Sequence, residues 1–162
     1  MQQKKGFTLI ELLIVIAIIG ILSSIAVVSV GNVRRLARDS KRLADMRQLQ
    51  TGLEMYFNEN NAYPLGSAID TATTLGSDVN YVALCNTNAG FSTIALCGNN
   101  TMYLAKVAAN PVPGGANYSY TSANGDLGNA NRPRTFTVTF SLESAIAGYA
   151  AGAHELSQLG MR

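Results

Sequence analysis

The chain begins with a nearly unbroken apolar stretch and then changes pattern. Residues 12–30 are 19 consecutive uncharged positions, mostly Ile, Leu, Val or Ala, and at about 1.5 Å per residue a helix of that length just spans a hydrocarbon layer of roughly 30 Å. Across residues 7–33 the single charge is Glu11. After Val33 the apolar positions thin to Leu36, Leu43, Met46, Leu53 and Phe57, spaced by three, four or seven, with Arg34, Arg35, Arg38, Lys41, Arg42 and Arg47 elsewhere around the helix. No proline interrupts this before Pro64. The pattern predicts one helix from about residue 7 to residue 59, roughly 80 Å long. A small domain cannot bury such a helix along its whole length, so it should protrude and give only its C-terminal half, as an amphipathic face, to a core.

Downstream the signals are shorter. Residues 58–131 are rich in Gly, Asn, Ser, Thr and Ala and read as long loops with short elements rather than a second domain. Residues 135–142 alternate strictly polar and apolar, which predicts a strand with Phe136, Val138, Phe140 and Leu142 facing the core. Residues 118–121 read as its partner and residues 145–150 as a third, less regular strand. The fold class expected is α+β: one long helix packed by its C-terminal half on a small antiparallel sheet.

Composition narrows the function. The chain has 162 residues, 48% hydrophobic and only 14% charged, so it is not a disordered polymer. Twelve basic against ten acidic residues leave a charge of +2, too little to name nucleic acid as a partner. One histidine and two cysteines cannot supply the four ligands of the usual zinc site. No nucleophile elbow, phosphate-binding loop or CxxC pair is present, so no catalytic residue is assigned. His154 and Glu155 read as exposed surface residues.

The apolar run admits three readings: a cleaved secretory signal, a plain membrane anchor, or a helix held in the membrane and later used in assembly. Lys4 and Lys5 form a basic leader, and Ser24-Ile25-Ala26 passes as a small-x-small cleavage site. Against a secretory signal, the run continues to Val33 and Glu11 lies where an uninterrupted apolar region belongs. A carboxylate at membrane depth costs roughly 2.5–3.5 kcal/mol on insertion scales, which suggests that it is kept for a partner. The alternative is an interfacial Glu favoured by the helix dipole.

Lys4-Lys5-Gly6-Phe7-Thr8-Leu9-Ile10-Glu11-Leu12-Leu13 resembles the class III signal of type IV pilins and type II secretion pseudopilins: basic leader, Gly, Phe, four residues to Glu, then an apolar helix. Residues 38–50, with Leu53-Glu54-Met55-Tyr56-Phe57-Asn58 and Tyr63-Pro64, are similar to the helix end and first turn of the major-pseudopilin-like branch. The resemblance implies a pilin-like fold and cleavage between Gly6 and Phe7 by a prepilin peptidase, with methylation of the new Phe7 amine. It implies residues 1–6 as leader, 7–33 as the membrane and assembly half of the helix, and 34–162 as a domain outside the cytoplasm. The protein would then be a structural subunit anchored in the inner or cytoplasmic membrane and extracted into a pilus or secretion pseudopilus. Its partners would be copies of itself, the peptidase, and the platform protein and ATPase of assembly, with Phe7 and Glu11 as the assembly residues. Pilin helices commonly carry a proline within the apolar run, and this one has none.

The positive-inside count opposes that orientation, since six basic residues follow the apolar run and two precede it; the processing signal and the cysteines outweigh it. Cys85 and Cys97, the only thiols, are expected to form a disulfide that ties a loop-rich region and places it in an oxidising compartment; the alternative is two buried small apolar residues. The basic cluster from 34 to 47 reads as a solvated or intersubunit salt-bridged face, the other function class being a DNA-uptake pilin that binds nucleic acid through it. Pseudopilins of the major type often bind calcium in a loop corresponding to residues 121–131, where Asn124, Asp126 and Asn129 could serve as ligands. One carboxylate makes a weak site, and an Asx-rich turn is the simpler reading. No other cofactor is expected.

Overall fold

A computed structural model describes residues 6–68, 70–76, 81–87, 89–123 and 132–162. In chain order the elements are α1 (Leu9–Asn60), β1 (Thr73–Thr74), β2 (Ala83–Cys85), β3 (Phe91–Ser92), α2 (Ile94–Cys97), β4 (Met102–Leu104), β5 (Ser119–Ala123), β6 (Thr135–Leu142), β7 (Gly152–Ser157) and β8 (Gly160–Met161). The architecture is α+β, a long N-terminal helix with small antiparallel sheets. The chain divides into two compact units, one ending at Ala37 and one of Arg38–Arg162.

In the first unit the described large apolar side chains of α1 are exposed, from Leu9 at 79% to Val33 at 64%.

In the second unit a five-stranded antiparallel sheet, ordered β1-β5-β6-β7-β8, and a three-stranded sheet, ordered β3-β2-β4, share a core with the rest of α1. Strand β6 follows from alternation of β-branched and aromatic residues: Phe136, Val138, Phe140 and Leu142 are buried and the intervening positions are not. Its register sets Tyr120 opposite Val138 on β5 and Leu156 opposite Val138 on β7. From α1 come Leu43, Met46, Leu49, Leu53 and Tyr56, all buried at three- or four-residue spacing. The buried tyrosine hydroxyls find acceptors, Tyr120 at the Pro64 carbonyl (2.6 Å) and Tyr56 at the Thr87 carbonyl (2.8 Å). Gly52 is what lets β4 approach α1. A Cβ there would lie 2.6 Å from Leu104 Cγ, so the usual helix cost of glycine is accepted for close packing.

The third strand lies elsewhere than the sequence suggested. Residues 145–150 form no strand; Ile146 and Tyr149 make an isolated bridge around a turn in which Ala147 has φ +52° and Gly148 φ +88°, and the strand that pairs with β6 is β7. The described parts of the 58–131 stretch are loops with short elements, as the sequence suggested, among them the three-stranded sheet and the single turn α2. The 145–150 turn fails as a strand because two successive left-handed residues reverse the chain.

Candidate functional site: the N-terminal segment and the Arg42 network

Gly6, Phe7 and Thr8 lead into α1 without secondary structure of their own, and Phe7 is 78% exposed. Thr8 and Glu11 form a reciprocal cap. The Thr8 backbone N–H donates to Glu11 Oε2 at 2.9 Å and the Thr8 hydroxyl to the same oxygen at 2.8 Å, while the Glu11 N–H reaches Thr8 Oγ1 at 3.3 Å. This Thr-x-x-Glu box satisfies free donors of the first turn and places the carboxylate at the positive end of the helix. Glu11 thus has local partners at the helix start, and its structural neighbour is Thr8. Gly6 has open space where a Cβ would stand, so a side chain there would not disturb the fold. Beyond the cap, the 9–33 stretch is long and apolar enough to cross a membrane.

The second cluster was not anticipated. Among the six basic residues of 34–47, Arg42 is not on a solvated face: both it and Asp39 are fully buried. Arg42 Nη1 donates to Asp39 Oδ1 (2.6 Å) and to Glu143 Oε1 (2.8 Å), Nε to Asn110 Oδ1 (2.7 Å), and Nη2 to the carbonyls of Gly114 (2.6 Å) and Pro111 (3.1 Å). Asp39 in turn accepts the backbone N–H groups of Glu143 (2.9 Å) and Ser144 (2.8 Å). Arg38 completes the group with a two-pronged pair to Glu143, Nε to Oε1 at 2.7 Å. Hydrogen bonding from Arg38, then from Arg42, holds the Glu143 carboxyl down to about 2. Nearby, burial raises Asp45, although the Tyr118 hydroxyl donates to it. Every guanidinium hydrogen-bonding direction of Arg42 is used inside the unit, which removes it from any surface for an outside partner. Arg34, Arg35, Lys41 and Arg47 are exposed. The sequence carried a signal for this: Asp39 and Arg42 fall on the same three-and-four stripe as Leu43, Met46, Leu49 and Leu53.

Cys85 on β2 and Cys97 at the end of α2 are joined in a disulfide, with Cα atoms 5.8 Å apart and both residues buried. They pack with Ala83 in a small cluster separate from the main core. Asn124, Asp126 and Asn129 lie outside the described residues, and among the described residues no group of three His, Cys, Asp or Glu converges as a metal site. His154 is half-buried rather than exposed, its ring between Phe140 and Tyr149, and Glu155 faces Arg162 at 3.3 Å.

The family model for the prokaryotic N-terminal methylation motif matches residues 1–27. Among curated proteins, the type II secretion system core protein G of Dickeya chrysanthemi is 33% identical over 85 residues, 49% of this chain and 56% of that protein. The protein of the same name from Klebsiella pneumoniae is 38% identical over 64 residues, 40% of this chain and 46% of that protein. The type IV wide pilus major component PilA4 of Thermus thermophilus is 43% identical over 68 residues, 42% of this chain and 52% of that protein. The chain thus spans about half the length of the curated relatives it matches. No solved structure matches. With its capped Thr8-x-x-Glu11 start, its exposed apolar helix and the matched motif, the chain carries the prepilin-type N-terminal methylation motif and is a homologue of the type II secretion core protein G and of the type IV pilin PilA4.

Proposed function

We propose that this protein is a structural subunit, not an enzyme, of a type IV pilus-like or type II secretion pseudopilus filament. It waits in the inner or cytoplasmic membrane with residues 34–162 outside the cytoplasm. A prepilin peptidase cuts between Gly6 and Phe7 and methylates the new amine; residues 7–33 remain as the membrane and assembly segment. A platform protein and ATPase then drive extraction into a helical stack of copies, whose head-to-tail contacts repeat without closing. The observation that carries this reading is the apolar 9–33 stretch of α1, whose described large apolar side chains are exposed and whose single charge, Glu11, lies four residues after Phe7.

The chemistry follows from what cleavage creates. Loss of residues 1–6 removes Lys4 and Lys5, takes the side-chain charge from +2 to zero, and leaves an ammonium at Phe7 and a carboxylate at Glu11 as the only charges in the apolar stretch. In a filament core of packed helices, attraction between such charges is strong and an unpaired one is costly. Glu11 of an arriving copy neutralises the Phe7 amine of its neighbour, which fixes register. Its own Thr8 cap makes the carboxylate tolerable beforehand, and at least one Thr8 hydrogen bond is exchanged when the intersubunit pair forms. The intramolecular use of Arg42 and Arg38 leaves the DNA-uptake reading with fewer free cations than the sequence count suggested.

Mass spectrometry of purified protein should find N-methyl-phenylalanine at Phe7. Glu11→Val should still insert and still be cut, yet leave no filaments by electron microscopy of sheared cells that lack the wild-type copy. Filaments of normal length and number from that variant would overturn the charge-pairing step, and a mature terminus at Val27 would overturn the whole reading in favour of a secreted protein.

A further inference from the structure

The chain has one histidine, and both nitrogens of its ring face oxygen. His154 lies on β7, with Nε2 2.8 Å from the main-chain oxygen of Ala150 and Nδ1 3.3 Å from that of Arg162. Both oxygens only accept hydrogen bonds, and that of Arg162 does so whether it belongs to a peptide or to a carboxylate. A neutral imidazole carries one N–H, so it can donate to one of them while turning a lone pair towards the other. The imidazolium carries two and satisfies both. Phe140 and Tyr149 hold the ring in this attitude, their centroids 5.6 Å and 5.5 Å from its own.

The ring joins two pieces of chain at the edge of the five-stranded sheet. Ala150 follows the 146–149 turn, and Arg162 follows β8, the outermost strand. Strand β8 is only Gly160–Met161, paired to β7 at Ser157 and Leu156 and extended by reciprocal bonds between Glu155 and Arg162, at 3.0 Å and 2.9 Å. The Arg162 side chain adds an exposed ion pair to Glu155 at 3.3 Å, an interaction that contributes little in water. An edge strand of two residues with so few ties is where a sheet opens locally, so a contact from His154 counts there. Among the described residues, β6 faces the ring with uncharged Phe140 and the turn faces it with the Tyr149 phenol. From β8 comes the Arg162 guanidinium, which is paired with the Glu155 carboxylate of β7.

We propose that His154 is a latch that acid tightens: protonated, it bridges Ala150 and Arg162 and holds β8 on the sheet, and deprotonated it releases one of the two. When β8 leaves, the outward main-chain groups of β7 become an open sheet edge, the kind of surface on which another strand adds. The latch therefore sets how often that edge is uncovered. The test is amide hydrogen exchange on the full chain in detergent at about pH 5.5 and about pH 8, corrected for the intrinsic pH dependence of exchange. Histidine is the residue type whose charge changes over that interval, and the chain has one. The Glu155 and Arg162 amides should open roughly three to ten times less often at the lower pH, the effect of one added hydrogen bond from a charged donor. His154→Gln, which gains no proton over this range, should show no such change. Protection that is indifferent to pH, that falls on acidification, or that changes equally in His154→Gln would overturn the proposal. Should the variant fail to fold, nitrogen-edited NMR of the wild-type ring decides. Two ring N–H protons held from exchange at the lower pH support the bridge, and one or none overturns it.

Discussion

Two stretches of α1 meet their surroundings in opposite ways. In residues 9–33 every described large apolar side chain is exposed, and the only charge is paired just within the first turn, by Thr8. In residues 39–56 the apolar stripe is buried, and two opposite charges, Asp39 and Arg42, are buried with it and fully satisfied by the same chain. The same secondary structure is therefore finished in one stretch and unfinished in the other. What distinguishes them is the neighbourhood: the later stretch meets its own sheets, and the earlier one is exposed at every described large apolar side chain, to be covered on the proposed reading by lipid or other copies.

The contrast can be broken most severely at Arg42. Arg42→Met keeps the aliphatic bulk but leaves Asp39 as an uncompensated buried charge, and the compact unit should lose about 3–5 kcal/mol of stability. Adding Asp39→Asn should recover part of that, because the orphaned charge is the main cost. Denaturant unfolding of the full chain in detergent measures both; an unchanged midpoint for Arg42→Met would mean that the network is ornamental.

A paired truncation sharpens the comparison. Leu53→Ala should destabilise the unit by about 2–5 kcal/mol, whereas Leu22→Ala, at an exposed position, should leave its unfolding within about 0.5 kcal/mol of the parent. Equal losses from the two would show that the 9–33 stretch already has an intramolecular partner.

The smallest effect is on pH dependence. Glu143 is held down to about 2 from its ordinary 4.5 by Arg38 and Arg42. Its contribution is therefore complete above the ordinary value and is lost as pH falls from about 4.5 towards 2. Asp45, whose burial raises it, contributes with the opposite sign. The unfolding midpoint should fall across that acid window, and Arg38→Gln should flatten the fall; a slope indifferent to Arg38 would contradict the assignment.

The parts of the fold that could be read from the chain were those in which one physical signal repeats. The helix emerged from its apolar spacing within two residues at its start and one at its end. Strand β6 emerged from eight positions of strict alternation. Strand β7 did not, because Gly152, Ala153, His154 and Glu155 give no period of two, and its identity comes from hydrogen bonding to β6. The three-stranded sheet consists of strands of two or three residues, too short for any periodicity. At the N-terminus, Glu11 stood out as the single charge of the apolar run and Gly6 and Phe7 through the resemblance to the class III signal, but the Thr8 cap went unremarked although Thr-x-x-Glu is itself a sequence pattern. Arg42 was hidden by its company. Five exposed or partly exposed cations within 14 residues made it look like one more, and only its phase with Leu43, Met46 and Leu49 marks it as different.

The 110–116 loop is held through its backbone. Arg42 and Asn110 grip the carbonyls of Pro111, Gly114 and Ala116, which every amino acid possesses. The path of the loop is consequently fixed while the lettering at its tip is free. Exchanging residue 112 alters what the subunit presents without altering where it is presented, but inserting one residue would pull the carbonyls off their donors. A lineage can thus vary the tip by point substitution alone, and length, more than identity, is what selection must guard there.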